Sequence, residues 1–210
     1  MRRASAGTGQ AQSPIMPTKQ QTVPEACWLA CARNSIRPTP LMLCVWVATQ
    51  RMGLFVRRGR APAGGRFPSY ELAEEYSIST SRFGIGQKMH SNKTPLGLHR
   101  IARKVGGDQP VGTIFKSRVP VGRVGEGAGE AGIVHRILWL AGLEPGFNQG
   151  GQVDTFQRYI YLHGYGDETT LGRPQSLGCI HVGVADLIPL YRRVPRGTLV
   201  YISRTGVHAG

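Results

Sequence analysis

Residues 159–181 read Tyr-Ile-Tyr-Leu-His-Gly-Tyr-Gly-Asp-Glu-Thr-Thr-Leu-Gly-Arg-Pro-Gln-Ser-Leu-Gly-Cys-Ile-His. The opening Tyr-Ile-Tyr-Leu-His is aromatic and β-branched, as strands are. A period of two then puts Tyr159, Tyr161 and His163 on one face. The closing Ser176-Leu177-Gly178-Cys179-Ile180-His181 has a different character. Gly178 allows a tight turn that exposes the neighbouring cysteine sulfur and backbone N–H groups. A nucleophilic cysteine needs a base within hydrogen-bond reach, a group that orients the base, and N–H donors facing the developing oxyanion. His163 at a strand end can be the base, the Gly164 carbonyl can orient it, and the Ser176 hydroxyl can hold the turn. A cysteine and a histidine on apolar strands can equally be plain core residues, so the pairing alone leaves both readings open.

Outward from this stretch, the strand signals continue. Residues 42–49 and 52–57 are apolar runs separated by a short break, which predicts a hairpin. A basic loop follows over 57–66. Residues 76–81 alternate like a strand, although 71–75 just before them could pass as helix. Glycines and prolines at 84, 86, 95 and 97 punctuate a loop before a further strand at 98–104. Four glycines within 125–132 predict a mobile loop. Residues 133–141 are apolar and end in Gly142-Leu143-Glu144-Pro145-Gly146, a turn. Leu187, Ile188, Leu190, Tyr191 and Val194 give 186–194 a helical period, with Pro189 expected in its first turn or at a bend. Residues 198–202 return as a strand. Residues 1–36 read as a disordered or processed tail, rich in Ser, Thr, Gln, Pro and Arg without a period.

Composition narrows the class. The chain has 210 residues with 29 Gly and 14 Pro, too many for a helix bundle and suited to a turn-rich β protein. Forty per cent hydrophobic residues are enough for a core and exclude a wholly disordered chain. No apolar run reaches the ~18 residues of a membrane span. Four cysteines, at 27, 31, 44 and 179, are too few for a disulfide scaffold. Cys27 and Cys31 lack nearby partners for a metal or redox role, and Cys44 sits in an apolar strand as an inert residue. The net charge of +14 suits nucleic acid, an anionic membrane or an acidic polymer such as cell wall. No zinc-finger, helix-turn-helix or RNA-binding signature is present, so nucleic acid is not expected.

With these segments in place, residues 38–203 resemble the catalytic domain of the L,D-transpeptidases, the YkuD family. The family pattern is His-Gly, a variable stretch, then S-x-G-C-x-R. It is matched here by His163-Gly164 and by Ser176-Leu177-Gly178-Cys179-Ile180-His181. Residues 79–87 (STSRFGIGQ), 91–101 (SNKTPLGLHRI), 137–164 and 186–202 agree in order. The resemblance implies a mainly β fold, a β sandwich with one or two short helices, spanning residues 37–204 with a C-terminal tail at 205–210. It implies that Cys179 attacks the amide before the terminal D-Ala of a peptidoglycan stem peptide. D-Ala leaves, a thioester forms, and an amine from another stem or a wall-anchored protein takes the acyl group. Cys179 is then nucleophile, His163 proton donor and acceptor, and Gly164 the orienting carbonyl. Gly178 contributes backbone to the oxyanion hole and Ser176 supports the turn. Asn92, Lys93, Thr94, Pro95 and Gly97 match a family loop of structural kind. No cofactor is implied.

Two departures bear on substrate. His181 stands where the family usually has Arg, and Tyr165 where Thr is common. Arg always carries charge and grips a carboxylate with two bonds, whereas His does neither reliably. Arg173 in the variable stretch is the candidate to supply the missing charge, with His181 and Tyr165 as further substrate contacts. A zinc site of Cys179, His181 and His163 is the metal alternative, without a supporting CxxC or HExxH. Hydrolysis of the same bond and non-catalytic wall binding are the functional alternatives. The substrate implies the cell envelope, in the periplasm, although no apolar segment of signal-peptide type follows Met1-Arg2-Arg3.

Overall fold

A computed structural model describes residues 21–59, 67–126, 132–205 and 207–208. The elements run β1 (Gln21–Thr22), α1 (Glu25–Arg33), β2 (Leu41–Trp46), β3 (Arg51–Arg57), β4 (Tyr70–Ser79), β5 (Gly97–Val105), β6 (Thr113–Lys116), β7 (Val119–Arg123), β8 (Ile133–Gly142), β9 (Tyr161–Tyr165), β10 (Ile180–Val182), α2 (Val184–Arg193), β11 (Leu199–Ser203) and β12 (Val207–His208). Ten strands form one mixed sheet in the order β5-β11-β2-β3-β4-β10-β9-β8-β6-β7, and β5 also pairs with β8. That extra pairing brings the sheet back on itself around a core, the form taken by the expected mainly β fold. β1 and β12 make a separate two-stranded ribbon.

Alternation sorts the strand residues onto two faces. In β2, Leu43 and Val45 join the main core, which also holds Met52, Leu54, Ile78, Leu138, Leu162, Ile180, Val182 and Val200. Met42, Cys44 and Trp46, one residue out of phase, face a second cluster. A strand buried on both faces reads as a continuous apolar run, which is why Leu-Met-Leu-Cys-Val-Trp shows no alternation. α2 closes the main core with Leu187, Leu190 and Tyr191, and Val194 just past its end joins them. Pro189 is the sixth residue of α2, past the first turn, which was one of the two places expected for it. Its missing N–H leaves one helical bond unmade.

Two sequence expectations need correction. The stretch assigned to a tail through residue 36 contains α1. Cys27, Trp28, Ala30 and Cys31 of that helix are buried against the second face of β2 and β3. Trp28 stacks on Phe67, with ring centroids 5.8 Å apart, and tilts against Tyr70 at 5.3 Å. Residues 71–75 are strand, within β4, because β3 pairs with them along their length. The hairpin β6–β7 was not foreseen. Most of the basic loop over 57–66 and of the glycine-rich 125–132 lies outside the described residues.

Candidate active site

The site lies on the outer face where β9 and β10 run parallel, with His181 beside His163 and Ile180 beside Leu162 in register. Ile180, Val182 and Leu162 turn inward to the core. The opposite parity puts Tyr161, His163 and Tyr165 of β9, and Cys179 and His181 at β10, on the other face. His163, Tyr165, Ser176, Cys179 and His181 line one cleft of about 260 Å³, together with Gly132, Ile133, Gln175 and Leu177.

His163 is 3% exposed. Its Nδ1 lies 2.7 Å from the Gly164 carbonyl oxygen. A carbonyl only accepts, so Nδ1 carries the proton and Nε2 keeps its lone pair. Burial holds the imidazole pKa down at about 4, with the Gly164 bond pulling the other way. Gly164 is required by packing. A Cβ there would stand 2.5 Å from His135 Cδ2 and 2.7 Å from the Val134 carbonyl. His135 reaches that position because β8 bulges between Val134 and Ile137, opposite Gly164 and His163, with His135 itself at φ 68°. A bulge of this kind re-aims a strand beside a site.

Cys179 follows a tight turn. Gly178 sits at φ +120°, a conformation that disfavours any side chain. The Ser176 hydroxyl accepts from the Gly178 N–H at 3.2 Å and donates to the Cys179 carbonyl at 2.6 Å. Thr94 Oγ1 donates to the Gly178 carbonyl at 3.1 Å. The sulfur lies 3.5 Å from the Tyr159 carbonyl. Burial pushes the thiol pKa up to about 11, against a backbone hydrogen bond at Tyr161 and the positive charge of Arg158. With the base low and the thiol high, the resting pair is neutral imidazole and neutral thiol.

The expected substrate contacts separate. Tyr165 and His181 stack, centroids 4.4 Å apart and 12° from parallel. His181 also meets His163 edge-on at 4.9 Å. Burial, and His163 beside it, hold the His181 pKa down at about 3. His181 therefore brings no charge at neutral pH, and its Nδ1 is buried without a hydrogen-bond partner. Arg173 is not brought to the cleft. It is exposed and donates to the Thr169 carbonyl at 2.8 Å, within the 3₁₀ turn Glu168–Thr170. Tyr159, expected on one strand face with Tyr161 and His163, instead precedes β9 at φ 57°, where its carbonyl faces the sulfur. Among the described residues no three His, Cys, Asp or Glu side chains converge to hold a metal ion.

The model of the YkuD family, L,D-transpeptidase catalytic domain, matches residues 42–202. The chain belongs to the YkuD family. The fold agrees with that of Bd1075 of Bdellovibrio bacteriovorus. Identity to it is 16%, the match covers 91% of this chain and 54% of that one, and the TM-score is 0.54. An L,D-transpeptidase from Mycobacterium smegmatis is 15% identical over 78% of this chain and 58% of its own, at TM-score 0.44. L,D-transpeptidase 3 from Mycobacterium tuberculosis, in complex with a faropenem-derived adduct, is 16% identical over 78% of this chain and 60% of its own, at 0.45. The chain thus spans between about half and three fifths of these proteins. No curated protein matches it in sequence.

Within the YkuD framework, sequence reasoning missed Arg158, Tyr161 and the backbone of Tyr159. Arg158 carries no motif. Its place next to the sulfur-facing segment depends on how 154–160 fold back.

Proposed function

We propose that this YkuD-family protein is a cysteine-dependent L,D-transpeptidase acting on peptidoglycan stem peptides in the cell envelope. The observation that carries the reading is the His163 Nδ1 to Gly164 carbonyl bond of 2.7 Å, on a histidine that shares its cleft with Cys179. It fixes the tautomer in which Nε2 is free to take a proton.

The chemistry then runs in two halves. Nε2 of His163 takes the thiol proton as Cys179 Sγ attacks the carbonyl of the third stem residue. The thiol gives up its proton during attack, because the ion pair is unfavourable at rest. The Cys179 backbone N–H receives the oxyanion, since the Gly178 N–H is committed to the Ser176 hydroxyl, which holds the turn. His163 returns the proton to the nitrogen of the departing D-Ala, leaving a thioester on Cys179. An amine from a second stem or a wall-anchored protein attacks the thioester, and His163 takes its proton. The thiol is restored and an amide cross-link is made. Water in place of the amine gives a carboxypeptidase.

Incubation with purified muropeptides tests the reading. Dimers joined through third-position residues, lost in Cys179→Ala, are expected. General-base help is worth about 10²–10⁴-fold, so His163→Gln is expected to lose that much turnover and still bind substrate. Shortened monomers alone would assign hydrolysis, and unchanged muropeptides would refute catalysis.

A further inference from the structure

Arg158 stands just before the segment that faces the sulfur, and its guanidinium is committed to one short loop. It donates to the Gly86 carbonyl at 3.1 Å, to the Lys93 carbonyl at 2.6 Å and to Ser91 Oγ at 3.4 Å. The same loop supports the nucleophile turn. The position a Gly178 Cβ would take is 3.4 Å from the Lys93 carbonyl and 3.6 Å from the Asn92 carbonyl carbon. Thr94, next along, bonds the Gly178 carbonyl. Arg158 thus ties residues 86–93 to the segment whose Tyr159 carbonyl meets Cys179 Sγ.

Its charge is uncompensated. Arg158 is half-buried, and among the described residues it forms no ion pair with a carboxylate. All its acceptors are neutral. A guanidinium stays protonated under such burial, so the charge persists where water screens it poorly. The titratable groups near it are few. Lys93, whose carbonyl Arg158 bonds, is the nearest other cation along that loop. His90 lines the small cleft that Arg158 shares with Tyr159 and Leu177. His99 of β5 is buried and neutral. Arg118, farther out, lies over the Tyr159 and Trp139 rings. Arg158 directly precedes Tyr159, whose carbonyl meets Cys179 Sγ, and its positive charge lowers the thiol pKa against the larger effect of burial.

We infer that Arg158 is a positioning residue of this site: it pins residues 86–93 beneath the Gly178 turn and is the counter-charge for negative charge developing on Cys179 Sγ. This rests on Cys179 being the nucleophile proposed above.

Alkylation separates the charge role from a purely structural one, and it needs no turnover. The rate of iodoacetamide modification of Cys179 is followed by peptide mass at pH 9 in wild type, Arg158→Gln and Arg158→Lys. Cys27, Cys31 and Cys44 are buried and mapped separately. An opposite charge nearby lowers a thiol pKa by ~1–3 units, so Arg158→Gln is expected to slow modification about ten-fold. Arg158→Lys, which keeps the charge and loses the fork, is expected to stay within about three-fold of wild type. A glutamine variant modified at the wild-type rate would overturn the proposal. So would a lysine variant slowed ten-fold, and that result stands even if the glutamine variant does not fold. A protein inert toward muropeptides with these alkylation rates would refute the transpeptidase reading and leave the electrostatic role intact.

Discussion

The imidazole of His181 lies face to face with the ring of Tyr165, 12° from parallel with centroids 4.4 Å apart. An arginine usual at this point of the family would present a charge. The stack presents a neutral, buried ring. Because the His181 pKa lies near 3, the group does not titrate between pH 6 and pH 8. The apparent KM for a stem peptide is expected to stay flat over that interval. A rise of ten-fold, the scale of a lost charge-assisted hydrogen bond, would show that His181 does carry charge to the substrate. Replacement by phenylalanine keeps the stack and removes the unpartnered Nδ1. Its melting temperature is expected to equal or exceed wild type, since an unsatisfied buried polar atom costs about 1–3 kcal/mol.

Acid should unfold this protein through its histidines. His99, His163 and His181 are all buried, with pKa values held near 4, 4 and 3 by loss of solvation. In the unfolded chain each returns to ~6.5. Between these values the unfolded state binds more protons, so stability is complete above about pH 6.5 and falls as pH drops toward 4. The slope is on the order of 1 kcal/mol per pH unit for each histidine. Melting temperature measured from pH 7.5 to pH 4 is expected to decline steeply below 6.5. A flat profile would show that these imidazoles are not neutral in the fold.

Gly164 does two jobs, and one substitution probes both. A methyl group there meets His135 and the Val134 carbonyl at 2.5 and 2.7 Å. Overpacking of this kind costs about 1–3 kcal/mol, and it also moves the acceptor of the His163 Nδ1 proton. Gly164→Ala is expected to melt lower and to lose turnover beyond what its stability explains. Full activity at unchanged melting temperature would mean that β8 yields without consequence.

α1 belongs to the folded body. Trp28 is 6% exposed and packs with Phe67, Tyr70 and the β2 face. Trp28→Ala is expected to cost about 3–5 kcal/mol, read as the shift in a urea midpoint. A change below 1 kcal/mol would mean that the helix adds little.

What the sequence made legible follows local chemistry. The hairpin β2–β3 and the strands β5, β8 and β11 show as apolar runs or strand-like segments and the helix α2 by its period, and each is found at the expected place. Glu71 to Glu75 misled because their side chains are mostly exposed, and the strand is specified by pairing with β3 rather than by pattern. α1 was missed because its buried stripe is made of Cys, Trp and Ala, which give little hydrophobic contrast. Pro120 obscured β7, an edge strand where proline is tolerated. At the site, Cys179, His163 and Gly164 stand out in the sequence by motif spacing, and Cys179 and His163 line one cleft. The positions of Arg158 and Arg173 depend on how loops fold back, which no periodicity encodes.

The central claim is that Cys179 forms a covalent acyl intermediate. Intact-mass measurement after incubation with a carbapenem tests it most directly. Wild type and Cys44→Ala are expected to gain one acyl adduct each, mapped to the peptide containing Cys179, and folded Cys179→Ala none. An adduct of the same mass on Cys179→Ala, or an unmodified wild type, would contradict the account.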